Sequence, residues 1–339
     1  MTLDLIFYLV IGLSIVGYAI LDGFDLGVGM LHLFAKTDEE RRVSLNAIGP
    51  VWDGNEVWLV IVGGALFAGF PDVYATFFST FYNLTMVLLV GLIFRAVAIE
   101  FRSKRKSQTW RFGWDTVFCV ASYIIAFGIG IAMGNLIEGV PLNEHKDFVG
   151  THRDFLRPYT VLVGILGIAV FMLHGAVYMV MKTEGELHDR LRKHVTPCII
   201  FFVAAYLSVT SLTLVYMPHM TAQMKKYPWL FVIGLLAILA VLNVHRLIKK
   251  GKDGSAFLFS CLGITLFICL FGIGTFPNMI RSSVDPEHFS LTIFNSSSSP
   301  LTLKVLLWIV GLGIPLVLGY GYYIYRVFRG KVKLDSTSY

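Results

Sequence analysis

Two short stretches carry carboxylates where the surrounding sequence is apolar. Asp22-Gly-Phe-Asp25-Leu-Gly-Val-Gly29 lies inside the first hydrophobic run, and Val51-Trp-Asp53-Gly-Asn-Glu56-Val-Trp58 stands at the mouth of the second. In each, two acids are three residues apart, a spacing that puts both on one face of a helix. Acids so placed have three uses. They can neutralise a buried cation and lock helices together, hold and pass protons, or coordinate a cation. An ionised carboxylate facing lipid costs about 3 kcal/mol or more, so these groups must face a bundle interior or a partner, and must be paired, protonated or hydrated.

The elements that position them are membrane helices. The chain has 339 residues, 56% of them hydrophobic and 15% charged, with mean hydropathy +0.70. A soluble domain is about a quarter charged, so the composition predicts an all-α polytopic membrane protein. The net charge of +6 comes from Lys and Arg clustered between apolar runs, which is a membrane-loop pattern and not a nucleic-acid footprint. Runs of about 20 apolar residues give nine candidate spans, at 3–35, 48–70, 74–100, 114–137, 159–181, 197–217, 228–247, 256–276 and 301–326. The second and third are separated by little more than Pro71-Asp72. The whole chain, 1–339, reads as one integral membrane domain, and the N-terminus lacks the basic region of a signal peptide, so the first run reads as a retained span.

Segments after odd-numbered spans carry twenty Lys and Arg, against seven on the opposite side. The positive-inside bias therefore predicts an external N-terminus and a cytoplasmic C-terminus. It also predicts basic cytoplasmic loops at 101–113, 182–196 and 246–255, and external loops at 138–158 and 277–300. One cation remains, Arg95, inside the third span. Counted at 1.5 Å per residue, Asp53 should lie about 8 Å and Glu56 about 12 Å into the second span. Asp22, Asp25 and Arg95 then share that cytoplasmic layer. Four acids for one Arg are more than a structural pair needs, and the surplus suggests a proton-carrying file open to the cytoplasm. The simpler reading, that Arg95 and one acid lock three helices, stands beside it, with cation coordination as a third. Gly23, Gly27 and Gly29 mark places where another helix can approach closely.

Other side chains offer less. His174 stands alone in the fifth span and reads as a hydrogen-bonded core residue, and His32 and His245 lie near cytoplasmic ends with no partner His on a shared face. Met172, Met179 and Met181 read as packing. The cysteines at 119, 198, 261 and 269 form no metal or disulfide spacing. Trp52, Trp58, Trp110, Trp114 and Trp229 fall near span ends, as an aromatic belt requires. There is no phosphate-binding loop, nucleophile elbow or zinc motif. No metal site is expected.

DGFDLGVG, Glu40-Arg-Arg42 and IGPVWDGNEVWLVIVGGALFAGFP (48–71) together resemble subunit II of the cytochrome bd quinol oxidases. The resemblance continues through FRAVAIEFRSK (94–104), GNLIEGVP (134–141), TEGELHDR (183–190) and SLTIFNSSSSPLTL (290–303), covering nearly the whole chain. It implies two four-helix bundles plus a peripheral helix, paired with a haem-bearing subunit I in the bacterial cytoplasmic membrane. That partner carries haem b and haem d and oxidises quinol, the complex reduces dioxygen to water with cytoplasmic protons, and no cofactor is expected on this chain itself. In some members a quinone lipid or a small single-span subunit lies against it. The resemblance assigns the acid matching Asp53 to proton uptake at the interface between subunits. Asp25, Asp53 and Glu56 are therefore expected to line a proton path, with Asp22 and Arg95 balancing charge. Gly54 and Asn55 are expected to loosen or polarise the start of the second span so that water gains access. Two competing readings are a purely structural subunit whose acids tolerate neutral isosteres, and a secondary transporter or channel using the acid layer as an ion site. The latter would want inverted repeats or broken helices, and the sequence shows neither.

Overall fold

The protein is described by a computed structural model covering residues 2–334; Met1 and residues 335–339, and so the extreme termini of the topology prediction, lie outside the described residues. Twelve α-helices follow in order: α1 Leu3–Leu31, α2 Asp38–Ile48, α3 Trp52–Gly69, α4 Pro71–Thr80, α5 Tyr82–Phe101, α6 Gln108–Glu138, α7 Pro158–Lys182, α8 Gly185–Tyr216, α9 Ala222–Lys226, α10 Phe231–Lys249, α11 Asp253–Thr275 and α12 Pro300–Val327. Eight of the long helices are apolar enough to cross a membrane on their own; α3 is the ninth, as part of a bent pair with α2. Helix starts obey local chemistry. Thr37, Ser107 and Ser299 accept from Glu40, Trp110 and Thr302 backbone N–H groups, and Pro71, Pro158 and Pro300 occupy first turns where no N–H is needed.

Three expected boundaries are corrected. The second span does not begin at residue 48: the chain bends by 47° between α2 and α3. Pro50 lies in this break and has no N–H to continue the ladder, so α3 restarts at Trp52. Asp53 and Glu56 consequently occupy the first two turns of α3, shallower than counting from residue 48 suggested. The third span is not continuous from residue 74. The ten-residue α4 ends before Phe81, and at 1.5 Å per residue it is too short to cross; α5 alone is the span. The basic stretch 182–196 is not a loop, because α8 already starts at Gly185 and carries that charge on a helical extension.

The long helices pair as two bundles, α1/α3/α5/α6 and α7/α8/α10/α11, joined by contacts of α1 and α6 with α7. At the centre the backbones of α1 and α7 touch: a Cβ on Gly27 would overlap the Phe171 carbonyl, and one on Gly175 would overlap Gly27. Gly23 takes the Phe171 ring and Gly29 the Ser122 side chain, whereas Gly54 faces open space. Helix α12 is peripheral, with exposed Leu301, Trp308, Ile309, Leu312, Leu316 and Tyr320 along its length.

Contacts sort the connections into two ends. Arg190 pairs with Glu40, Lys182 Nζ donates to the Phe328 carbonyl (2.7 Å), and the Arg192 guanidinium donates to the Ile248 carbonyl, gathering the basic segments at one end. At the other end Val140 N donates to Arg281 O (3.0 Å), and the two-stranded ribbon β1 (Asn278–Ile280) and β2 (Leu291–Thr292) packs over the 138–158 loop. Odd-numbered spans thus end together, as the charge count requires.

Candidate functional site

The acid layer assembles from α1, α3 and α5. Arg95, fully buried on α5, donates through Nη2 to Asp22 Oδ1 (2.6 Å) and pairs with Glu56 Oε1. Asp22 is fully buried, while the Glu56 side chain keeps 25% exposure. Asp25, one turn beyond Asp22, does not reach Arg95. Its Oδ2 accepts from Asn55 Nδ2 (2.7 Å), and its Oδ1 is buried without a hydrogen-bond partner among the described residues. Asn55 is 2% exposed and fully engaged: Nδ2 also donates to Leu21 O (3.2 Å), and Oδ1 accepts from Tyr325 OH (2.8 Å). Asn55 is therefore a strut between α1, α3 and α12.

Asp53 stands apart from this set. It is exposed in the first turn of α3, beside open Gly54 and on a helix whose Val57 and Val60 are also exposed. Among the described residues it makes no hydrogen bond or ion pair. The geometry separates the sequence-predicted residues into a bound triad (Asp22, Glu56, Arg95), a buried acid with one free oxygen (Asp25) and a surface acid (Asp53).

Such an arrangement can store and hand on protons. The layer holds three buried or half-buried acids and one guanidinium, which pairs with two of them, so full ionisation would leave an uncompensated buried charge. A buried carboxylate oxygen lacking a donor must carry a proton or water. Among the described residues Arg95 Nε and Nη1 have no hydrogen-bond partner, so they are donors to spare for rearrangement.

A second charged cluster, absent from the sequence reading, lies at the basic end. Asp115 near the start of α6 is fully buried. It accepts from His32 Nε2 (2.7 Å), Arg102 Nε (2.5 Å) and Arg41 Nη1 (3.3 Å). Asp38 at the start of α2 accepts from Arg102 Nη2 (2.7 Å) and Arg111 Nη1 (2.7 Å). An acid at the second position of an apolar run was the available signal, and Arg102 was counted only as loop charge.

The two histidines buried among the helices, His174 and His32, are poorly suited to haem ligation. His174 is buried with both nitrogens taken, Nδ1 by Ser260 Oγ (2.8 Å) and Nε2 by Ile20 O (2.9 Å). His32 offers only Nδ1, inside a packed cluster against Phe118. No group of three metal-ligating side chains occurs among the described residues. Neither His174 nor His32 is thus arranged as a haem ligand.

Comparison with known proteins gives a single answer. The profile of the family described as cytochrome bd terminal oxidase subunit II matches residues 3–328. Cytochrome bd-I ubiquinol oxidase subunit 2 of Escherichia coli (strain K12) is 33% identical over 366 aligned positions, covering 98% of this chain and 96% of the relative. Cytochrome bd ubiquinol oxidase subunit 2 of Bacillus subtilis (strain 168) is 32% identical, covering 96% of each. The bd oxidase structure from Geobacillus thermodenitrificans superimposes with TM-score 0.79 at 18% identity, over 97% of this chain and 99% of that one, which establishes the shared fold. By sequence over nearly its whole length and by fold, the chain belongs to the cytochrome bd terminal oxidase subunit II family.

Proposed function

We propose that this chain is the second large subunit of a quinol:dioxygen oxidoreductase in the bacterial cytoplasmic (inner) membrane. It stabilises a haem-bearing subunit I, where quinol oxidation and dioxygen reduction to water take place with haem b and haem d, and it supplies carboxylates for proton uptake. The observation that carries the proton role is the divided acid layer, with Asp53 exposed on a bundle face and Asp25 buried with an oxygen free. Asp53 collects protons at the subunit boundary, Glu56 links that surface to the layer, and Asp25 holds them inside. Asp22 and Arg95 orient the layer and balance its charge.

The structural reading has its own support, since Arg95 binds both Asp22 and Glu56 and joins α1, α3 and α5. It applies to that triad and leaves Asp25 and Asp53 unexplained. A quinone lipid held against this chain would suit an apolar cleft of about 250 Å³ lined by Val28, Leu31, Met172, Met179, Cys198 and Phe201. The exposed stripe of α12 suits a small single-span subunit. Solvent extraction and intact mass of the purified complex would detect either.

The test is Asp53→Asn in the intact complex. Haem spectrum and assembly should survive, while quinol oxidase turnover falls roughly tenfold to a hundredfold, the range of one acid–base group. Full turnover would remove Asp53 from the route. A colourless chain that purifies folded and alone would favour an ion-transport role for the acid layer.

A further inference from the structure

The peripheral helix touches the acid layer through one hydroxyl. Most of α12 faces outward, yet Tyr325, near its end, points inward, with its ring edge-on to Phe24 (6.5 Å, 82°) and its OH donating to Asn55 Oδ1. The chain after α12 is tied to the same place. Lys182 Nζ holds the Phe328 carbonyl, and Val332 N donates to Lys182 O (2.9 Å) at the end of α7.

The Asn55 amide has a single satisfactory orientation. Its NH2 faces two acceptors, Leu21 O and Asp25 Oδ2, and its carbonyl faces the phenol. Turned over, it would set an oxygen against a carbonyl and a carboxylate, which costs the hydrogen bonds and adds repulsion. Without the Tyr325 hydroxyl, the Asn55 carbonyl is a buried acceptor lacking its partner, and the amide loses what fixes it. Asp25 would then lose the donor that α3 presents to it. An amide does not itself relay protons as a carboxyl does, so Asn55 and Tyr325 act by orientation.

From this we infer that Tyr325 is a positioning residue for Asp25: by fixing the Asn55 amide it sets the hydrogen bonding of the buried acid, and so couples the placement of α12 to proton transfer. This rests on the reading of Asp25 as part of the proton path. The ionisable groups facing Asp25 are Asp22 on α1, Glu56 on α3, Arg95 on α5, Tyr178 on α7 and Tyr325 itself on α12.

The experiment compares Tyr325→Phe, Tyr323→Phe and Asp25→Asn in the haem-loaded complex, reading turnover against pH. Tyr323 is exposed on the same helix and outside the acid layer, so Y323F should match the parent. Y325F keeps the ring and removes the hydroxyl. It should lower turnover about threefold to tenfold and move the pH of half-maximal turnover, with the haem spectrum unchanged. In an Asn55→Ala background the same substitution should have no further effect, because its route is gone. The inference is overturned if Y325F matches the parent while D25N is slow, or if Y325F slows turnover equally in both backgrounds. If D25N itself matches the parent, the proton-path reading of Asp25 fails, and the role of Tyr325 with it.

Discussion

Two charged clusters lie near the C-terminal end of α1, one around Asp22 and Asp25 on the helix and one reached by His32 just after it, and they are built on opposite principles. Around Asp115, two carboxylates meet three guanidinium groups, from Arg41, Arg102 and Arg111, with His32 completing the shell. Every carboxylate oxygen there has a donor, and the cluster needs no proton from outside to be neutralised. Around Arg95, two acids pair with one guanidinium and a third, Asp25, is buried beside them, and among the described residues one oxygen each of Asp22 and Asp25 lacks a donor. The first cluster is a fastening that ties α1, α2, α5 and α6 at the basic end. The second cannot be neutral without protons or water. The difference lies in the balance of each buried cluster more than in its depth: matched charges suffice for a clamp, whereas an excess of acid is what a proton path would need.

The largest effect should come from removing the cation of the unbalanced cluster. Arg95→Leu leaves Asp22 and Glu56 with no counter-charge, and a broken buried pair costs about 3–5 kcal/mol. Loss of assembled, haem-containing complex in membranes is expected, and Asp22→Asn in the same chain should recover part of it. Wild-type yield in R95L would show that these acids are already neutral when the complex assembles.

The balanced cluster should respond in stability alone. Asp115→Asn leaves Arg102, Arg41 and His32 facing an amide, and should destabilise by about 3 kcal/mol. Thermal inactivation of the purified complex should come at lower temperature, with turnover per surviving haem unchanged. Asp53→Asn should do the reverse, sparing thermal stability and lowering turnover. If D115N also lowers turnover per haem, the clamp belongs to the path and the contrast collapses.

The smallest effect lies outside the membrane helices. The Thr151 N–H and hydroxyl hold the Asp154 carboxyl below the usual carboxylate range, through bonds of 2.6 and 3.1 Å to Oδ2. A lowered value means the bonds favour folding above the unfolded carboxyl range, near pH 4, and the benefit is lost as pH falls through the depressed value. Hydrogen exchange at residues 151–157 should rise below that range, with no change in the membrane helices. Asp154→Asn should abolish the pH dependence.

Much of this was legible in the residues. Apolar run lengths located the eight long apolar helices and, as part of a bent pair, α3, and the asymmetry of Lys and Arg sorted their ends. Acids inside apolar runs had to find partners, and Arg95 was visibly one of them. Gly27 as a contact point was readable because close backbone approach requires a residue without Cβ, although its neighbour Gly175 was not. Less legible were the breaks. Hydropathy carried across Pro50 started the second span at residue 48, ahead of the break before α3, and carried across Phe81 joined most of α4 to α5, because a window registers composition and not a lost hydrogen bond. Asp115 escaped because it stands alone, without the doubled spacing that drew attention to the other acids.

By itself the sequence determined what kind of solvent the chain folds in, where its long apolar helices lie, which of their ends gather the basic residues and that a surplus of acid is buried. Those follow from transfer free energies and charge, which are properties of each residue and its near neighbours. Only the tertiary structure decided which acid meets Arg95, that Asn55 is a strut and not a weak point, that Asp53 is left exposed, and that Tyr325 reaches back 270 residues to the layer. Pairings of that kind depend on how helices rotate and cross. Those angles are set by packing of the whole bundle, to which no local stretch holds the key.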